Sequence, residues 1–470
     1  MYVNEKLNKF KEDIKGKRVA VIGFGVSNIP LVSYLITLDT DITVFDKRTI
    51  DKINKDKFEE YTLAGVKFSL GEEYLKKLVG FDYILRSPSM RPDVPEVVSE
   101  VNNGAILTSE IEMLMALCPS KIIGITGSDG KTTTTTLIYK ILSEEGYNCY
   151  LGGNIGIPLF IRIDEMTPED IVVLELSSFQ LFTFKQSPQI SVVTNIAPNH
   201  LDIHKDYDEY INAKKNILLY QNNNDLLVLN YDNEITRSFE NDAKGRVRFF
   251  SSTQELQSGV IYSEQDGNIY ICENGDKRAV INQEEIKLLG KHNFENCCTA
   301  IAAIKDLVSV ASIRNVLTTF NGVEHRNELV RVVNGVTWRN DSIGSSPSRT
   351  IAGLKSFKEK IVLIAGGYDK HLDYTELGKY IVSCAKALIL LGQTSEKIKE
   401  ATIKAMKDAS VSENELPIFE CSTLEEAVNE AYEISNDGDC VFFSPASASF
   451  DMFKNFEERG NKFKELVNKL

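Results

Sequence analysis

The sequence predicts an α/β protein of three doubly wound α/β domains, Rossmann-like at the N-terminus, P-loop-type in the centre and Rossmann-like again at the C-terminus. Three observations point there. At 470 residues the chain is too long for one hydrophobic core, so two to four domains of about 100–200 residues are expected. Short β-branched runs alternate with helical apolar patterns along the whole chain, as they do where helices cover both faces of a parallel sheet. Several apolar strands also run straight into glycine- or serine-rich polar loops, which is where such sheets hold ligands. The expected domains are 1–117, 118–326 and 327–470.

The first domain opens with residues 17–26, Lys-Arg-Val-Ala-Val-Ile-Gly-Phe-Gly-Val, a buried-type strand ending in Gly23-x-Gly25. A second strand, 42–45, ends at Asp46, about twenty residues after the glycines, where an acid would hold a ribose hydroxyl in a dinucleotide fold. Asn28 stands where the third glycine of that fingerprint belongs. The motif therefore leaves open NAD-type binding, another nucleotide, or simple helix packing. Further on, Tyr83-Ile84-Leu85-Arg86-Ser87-Pro88-Ser89 is a short strand breaking into a Ser-Pro turn.

The second domain begins with Ile122-Ile-Gly-Ile-Thr-Gly-Ser-Asp-Gly-Lys-Thr-Thr133, an apolar strand, a glycine-spaced loop and a helix patterned by Leu137, Ile138, Ile141 and Leu142. Such a loop lets backbone N–H groups approach phosphates. Its lysine adds a point charge, and its threonine hydroxyl can sit on magnesium. Ile125 replaces the first glycine of the general spacing; Gly124, Gly127 and Gly130 are present instead. ATP is the expected nucleotide. The run Thr132–Thr136 is poor helix-forming material and is better explained by phosphate and metal contacts. Strands 171–174 and 190–194 end at Glu175-Leu-Ser-Ser178 and near Asn195 and His200. Glu175, at a strand end beside the phosphate loop, is a candidate magnesium ligand. His200-Leu-Asp-Ile-His204 lacks the HExxH order, and the loop-like 195–199 before it leaves open whether the two histidines share a helical face. Lys214 and Lys215 lie on a helix, where a lone lysine is ordinarily solvated. A β-rich stretch follows, with a hairpin at Asp266-Gly267. A helix then begins after Gly290-Lys-His-Asn-Phe-Glu-Asn296 and continues through 300–308.

The third domain supplies strands 330–333, 361–364, 387–391 and 440–443. Its polar clusters are His325-Arg326, Asn340-Asp341-Ser342, Gly366-Gly367-Tyr368-Asp369-Lys370 and Ser444-Pro-Ala-Ser-Ala-Ser449. Each alone could be turn chemistry; together they describe a polar rim at the carboxyl edge of a sheet.

Composition narrows the function. A formal net charge of −14 argues against a nucleic-acid partner, which needs a basic face. It also requires an ATP site to concentrate cations against the field of the whole chain. Eight scattered cysteines, with no C-x-x-C, fit free thiols in a reducing compartment. The start has no signal-peptide h-region, and no apolar run approaches the ~18 residues of a membrane span. A cytoplasmic, monomeric enzyme without a membrane or nucleic-acid partner is expected.

The succession Thr-Gly-x-x-Gly-Lys-Thr, Gly-Asn-Ile-Gly, Glu-Leu-Ser-Ser-Phe-Gln-Leu, Asn-His-Leu-Asp, Lys-His-Asn, His-Arg, Asn-Asp-Ser and Ser-Pro-Ala-Ser-Ala-Ser resembles the Mur ligases, ATP-dependent amino-acid ligases of peptidoglycan precursor synthesis. The likeness runs over essentially the whole chain. Residues 175–181 and 444–460 look like the member that adds D-glutamate to UDP-N-acetylmuramoyl-L-alanine. The resemblance implies that Gly25, Val26, Ser27, Asp46 and Arg48 line a UDP site rather than an NAD site, and that Asn154 and Ser177 meet the muramoyl substrate. Gly127, Asp129, Gly130, Lys131, Thr132 and Thr133 would hold ATP phosphates, and Asn293, Arg326 and Asp341 its adenosine. Thr132 and Glu175 would surround one Mg2+, and His200 with a carbamylated Lys214 a second. Lys131, Glu175, His200 and Lys214 would be the catalytic set, while Ser345, Lys370, Ser449 and Phe456 would surround D-glutamate. One departure stands out: many relatives read Asn-Asp-Ser-Lys where this chain has Asn340-Asp341-Ser342-Ile343, so either Lys370 or Arg349 compensates or D-glutamate binds more weakly. Ser128-Asp129 also replaces a common Thr-Asn, adding a carboxylate near the phosphates. Other ligases on this scaffold, an NAD-binding dehydrogenase and a silent nucleotide-binding module are the rivals. The acyl phosphate that such a reaction forms must be kept from water, so closure of the third domain over the second is expected.

Overall fold

Continuous β-branched and leucine-rich runs, buried on both faces, make most strands parallel and central. The structure is a computed structural model that describes residues 2–25, 27–198, 204–288, 290–370, 372–412 and 414–470. The chain divides into two compact units, 1–320 and 321–470.

The first unit carries two sheets. Strands β1 (Arg18–Ile22), β2 (Asp41–Asp46), β3 (Lys67–Leu70), β4 (Tyr83–Arg86) and β5 (Ile106–Thr108) form a fully parallel sheet in the order β3-β2-β1-β4-β5. Strands β6 (Lys121–Thr126), β7 (Cys149–Gly153), β8 (Ile171–Glu175), β9 (Ile190–Val193), β10 (Leu226–Asn230), β11 (Arg246–Ser251), β12 (Gly259–Tyr262), β13 (Asn268–Glu273) and β14 (Asp276–Asn282) form the second, in the order β14-β13-β12-β11-β10-β9-β6-β8-β7. Seven of its strands, from β7 to β12 along that order, pair in parallel. The β12–β13 hairpin predicted at Asp266-Gly267 is antiparallel, with β14 added beyond it. One apolar cluster joins both sheets, from Val21 and Leu31 through Phe160 to Leu174; there the Tyr34 and Phe160 rings meet edge to face at 5.3 Å.

The second unit holds β15 (Glu328–Val333), β16 (Val336–Asn340), β17 (Ile361–Ala365), β18 (Ala385–Leu391), β19 (Ile418–Cys421) and β20 (Cys440–Phe443), ordered β15-β16-β20-β17-β18-β19. Only β15–β16 is antiparallel. Apolar clusters cover both faces, with Trp338 and Phe443 on one and Leu363 and Phe442 on the other.

In each sheet the chain reverses its direction of strand addition at one point: between β1 and β4, beside β6, and between β17 and β20. Neighbouring loops splay apart there and open a crevice at the carboxyl ends of the strands. The glycine and serine loops singled out in the sequence fall at these points. The helix expected to run through 300–308 ends earlier, at Lys291–Ile304. The next helix, Val310–Leu317, starts at Ser309, whose hydroxyl accepts the Ser312 N–H, so the cap divides one apolar stretch into two helices.

Leu174 is fully buried on β8, within the second sheet. Leu174→Ala is expected to cost about 2–5 kcal/mol, read as a lower midpoint of denaturant unfolding for the first unit.

Candidate functional site

The phosphate loop starts where β6 ends. Gly127 has φ +148° and Gly130 φ +76°. A Cβ at Gly127 would collide with the Thr194 hydroxyl, and one at Gly130 with the Asn296 carboxamide. Both are glycines because backbone and neighbours exclude anything else. Gly130 precedes the helix Lys131–Glu145, whose first N–H groups point into the loop. Within that helix Thr132, Thr134 and Thr135 are buried; Thr134 donates to Asn296 (3.4 Å) and Thr136 to the Thr132 carbonyl (2.8 Å).

Two lysines converge on one carbonyl of this loop. Lys131 Nζ donates to Gly127 O (2.9 Å) and Ser128 O (2.8 Å). Lys214 Nζ donates to Gly127 O (2.7 Å) and lies 4.8 Å over the Tyr210 ring. Lys214 sits on the helix Tyr207–Lys215 and is only 2% exposed. Burial, followed by the nearby Lys131 charge, holds its pKa well below that of an ordinary amine. Tyr210 closes the back of the loop by hydrogen bonding Ser128 at 2.8 Å, and burial pushes its hydroxyl up to about 12.

Glu175 ends β8, adjacent to β6, and is 2% exposed. Its Oε1 accepts from Asn154 Nδ2 at 2.8 Å, while its Oε2 is buried with no hydrogen-bond partner among the described residues. A buried carboxylate oxygen without a donor is costly unless a cation satisfies it. With the Thr132 hydroxyl in the first turn of the helix that leaves the loop, that donor set fits a hard divalent ion such as Mg2+. Lys214 as a free amine does not fit; as a carbamate it would. Among the described residues no group of three or more His, Cys, Asp or Glu side chains could hold a metal, and His200 lies outside them.

Ser177 caps the four-residue helix Ser178–Leu181 in a reciprocal box with Gln180, which gives both residues a structural duty. Asn293, on Lys291–Ile304, accepts from Asn296 at 3.3 Å.

At the first switch point Asp46 is buried, its Oδ2 accepting the Phe24 N–H at 2.7 Å. Arg48 spans the same carboxylate through Nε (2.9 Å) and Nη2 (2.8 Å) and also reaches the Phe24 carbonyl (2.8 Å). Burial alone would raise the Asp46 pKa; Arg48 and the two N–H groups outweigh it and bring it below the usual carboxyl range. The acid that a dinucleotide fold would offer to a ribose is therefore neutralised, and a guanidinium is presented instead. Asn28 uses its side chain on the carbonyls of Ile22 (3.0 Å) and Gly23 (2.9 Å), a job no third glycine could do. Gly25 and Ser27 flank this turn; Val26 lies outside the described residues.

In the second unit Asp341 is buried at the end of β16. It accepts from Ser444 Oγ (2.7 Å) and the Asn327 N–H (3.0 Å). Burial raises its pKa from 3.8 to about 6, against those hydrogen bonds and the Arg326 and Arg349 charges. His325, at φ +61°, lies 2.9 Å from Asn340 Nδ2 and edge-on to Phe456 at 6.0 Å, holding Arg326 at the same end of the sheet. Ser449 is buried, Ser345 and Phe456 half-buried. Lys370 Nζ lies 5.9 Å over the Phe450 ring. At Ile343, the departure from the common lysine, Arg349 Nη1 reaches the main-chain carbonyl at 3.4 Å. Arg459 ties the rim together: buried, it donates to Ser342 Oγ (3.0 Å), Ser342 O (2.8 Å), Ser447 O (3.1 Å) and Ala448 O (2.8 Å), and burial lowers its pKa to about 10.

Three domain families match the chain in succession: the MurD-like N-terminal domain of Mur ligases at residues 17–109, the Mur ligase middle domain at 125–304 and the Mur ligase glutamate ligase domain at 325–447. A UDP-N-acetylmuramoylalanine–D-glutamate ligase of Ruminiclostridium cellulolyticum is 53% identical over the full length of both chains, and one of Acetivibrio thermocellus is 52% identical, again over all of both. The chain belongs to the Mur ligase family. It is an ATP-dependent ligase. Solved Mur ligases share the fold: Thermotoga maritima UDP-N-acetylmuramate–alanine ligase has 16% identity and a TM-score of 0.55, covering 96% of this chain and 99% of its own. Thermotoga maritima MurF, solved with ADP, has 16% identity and a TM-score of 0.54, covering 97% and 99%.

Sequence reasoning missed Asn296 and Arg459. Asn296 is expected just before a helix that in fact begins at Lys291, so its place beneath Gly130 carried no signal. Arg459 lay inside the stretch 444–460 but was given no role of its own.

Two outcomes are expected. Gly127→Ala should impose about 1–3 kcal/mol of backbone strain and shrink the ATP-induced rise in unfolding temperature. Between pH near 4 and about 6, folded Asp341 keeps a proton that the unfolded chain has released, so the second unit should lose stability as pH rises through that window. Asp341→Asn should flatten that slope in pH-dependent unfolding.

Proposed function

We propose that this chain catalyses the ATP-dependent addition of D-glutamate to UDP-N-acetylmuramoyl-L-alanine, an amide-forming step in peptidoglycan precursor synthesis. The observation that carries the reading is the set formed by Lys131, Lys214 and the unpartnered Glu175 oxygen around one phosphate loop. It lies in a chain whose full length matches relatives named for that reaction.

The chemistry follows from charge. The substrate carboxylate attacks the γ-phosphorus of ATP, forming an acyl phosphate and releasing ADP. Both reactants are anions, so cations must gather where they meet. Lys131 supplies one fixed charge at the loop. Thr132 and Glu175 would hold Mg2+; His200 and Lys214, the latter carbamylated, would hold a second ion. Magnesium, when bound, neutralises the phosphate oxygens. The low basicity of buried Lys214 favours a neutral amine, which would add CO2 through a new N–C bond and release one proton, giving an anionic carbamate whose oxygens can serve as ligands. The amine of D-glutamate then attacks the acyl carbon, phosphate leaves, and the ammonium proton is lost to give the amide.

The Arg48–Asp46 pair and Gly25–Ser27 receive the UDP end, which suits a phosphate-bearing ligand better than an NAD ribose. Asn154 and Ser177 face the muramoyl part. Asn293, Arg326 and Asp341 serve the adenosine, and Ser345, Lys370, Ser449 and Phe456 serve D-glutamate. Arg349, resting on the Ile343 carbonyl, restores positive charge where relatives place a lysine. The protein works as a monomer in the cytoplasm, on small molecules alone. No helix among the described residues is long and apolar enough to cross a membrane.

Phosphate release with ATP, magnesium and UDP-N-acetylmuramoyl-L-alanine should depend on D-glutamate and not on L-glutamate or other amino acids. Release with a different amino acid instead would move the specificity and keep the ligase. Lys131→Ala should abolish turnover while UDP-substrate binding, read by thermal shift, stays nearly intact; equal loss of both would contradict the role given to Lys131.

A further inference from the structure

Arg91 lies in the loop after β4, at the switch point of the first sheet, yet it spends its guanidinium on the second. Its Nη1 and Nη2 meet both oxygens of Glu209 at 3.0 and 2.9 Å, while Nε and Nη2 meet both oxygens of Asp93, each at 2.9 Å. Glu209 sits in the first turn of Tyr207–Lys215. It also accepts the Lys205 N–H at 2.8 Å, so it fixes the start of the helix that ends at Lys214 and Lys215. The pairing brings the Glu209 pKa down to about 2, through Arg91 above all.

A second connection runs beside the first. The Arg91 guanidinium lies 5.2 Å over the Phe182 ring. Phe182 stacks on His204 (5.6 Å, 6°), and Phe179 stacks on the same imidazole (5.1 Å, 10°). His204 Nε2 is 2.9 Å from the Ser178 hydroxyl in the turn after Glu175. Its ring meets Tyr210 edge-on at 5.3 Å, and Tyr210 touches both Ser128 and Lys214. A fork on the first sheet's ligand loop thus grips the Lys214 helix and the Glu175 turn together.

We propose that Arg91 is a positioning residue for the ligase reaction, setting the separation between a UDP-substrate held by the first sheet and an ATP held by the phosphate loop. The inference rests on the site roles proposed above. Neither ligand needs Arg91 in order to bind; the encounter between carboxylate and γ-phosphate does, and misplacement of about 1 Å there costs on the order of a hundredfold in rate. A lysine cannot replace it, because a point charge does not span two carboxylates in one plane.

The test uses the full chain, comparing Arg91→Met, Arg91→Lys, Glu209→Gln and the Arg91→Met/Glu209→Gln double variant. Amino-acid-dependent phosphate release is measured beside thermal unfolding and the separate thermal shifts with ATP and UDP-substrate. The expected result is a fall in kcat of about tenfold to a hundredfold in each single variant, little change in either Michaelis constant, and no rescue by lysine. The double variant should be no slower than the worse single one, because both act through one contact. A lowered unfolding temperature with unchanged kcat, or losses that multiply in the double variant, would overturn the proposal. Should Arg91→Met not fold, Phe182→Leu thins the stack with both ion pairs kept and is read in the same way. If the unaltered chain prefers another amino acid, only the specificity reading fails, and the comparison is made with that amino acid. No release with any amino acid would overturn both.

Discussion

The Gly127 carbonyl accepts hydrogen bonds from Lys131 and Lys214 at once, and much of the central domain exists to make that meeting possible. Two amines so close, one of them buried, repel each other unless one gives up its proton or acquires an anionic partner. Glu175, on the strand beside β6, has a buried oxygen that no donor among the described residues reaches. In a chain with a net charge of −14, two lysine side chains thus meet at one loop carbonyl. The glycine at 127, the helix that carries Lys214 and the Tyr210–Ser128 contact all follow from keeping that geometry.

Sheet topology decides where the other ligands go. Parallel strands aim all their carboxyl ends one way, and reversal of strand order opens one crevice per sheet. The first sheet's crevice holds a neutralised Asp46–Arg48 pair, the second's the glycine loop with its two lysines, the third's a serine-rich rim. Side-chain hydrogen bonds replace glycine where the backbone would otherwise gape, as Asn28 shows by holding two carbonyls.

The sequence made the strands and their loops legible because burial on both faces leaves an unmistakable apolar run, and because glycine spacing reports backbone shape directly. Lys214 was invisible to that reasoning. A lysine's burial depends on what packs around it, and nothing in Tyr-Ile-Asn-Ala-Lys announces a neighbouring carbonyl; only the family likeness pointed to it. Arg91 was hidden for the same reason, since its partner Glu209 lies 118 residues away, and His204 was noticed only as a possible metal ligand, whereas its ring stacks with aromatic neighbours. The helix break at Ser309 was missed because an apolar pattern continued across a cap that outweighed it.

Arg459 adds a temporal constraint. Its hydrogen bonds to Ser342 span 117 residues, and a contact of that range must close a long loop before it gains anything. The strands of the third sheet can pair while the turn after β16 is still without its guanidinium. The phosphate loop is under the same constraint, since Thr134 bonds Asn296 across 162 residues, so both polar rims are completed only when partners from far along the chain arrive.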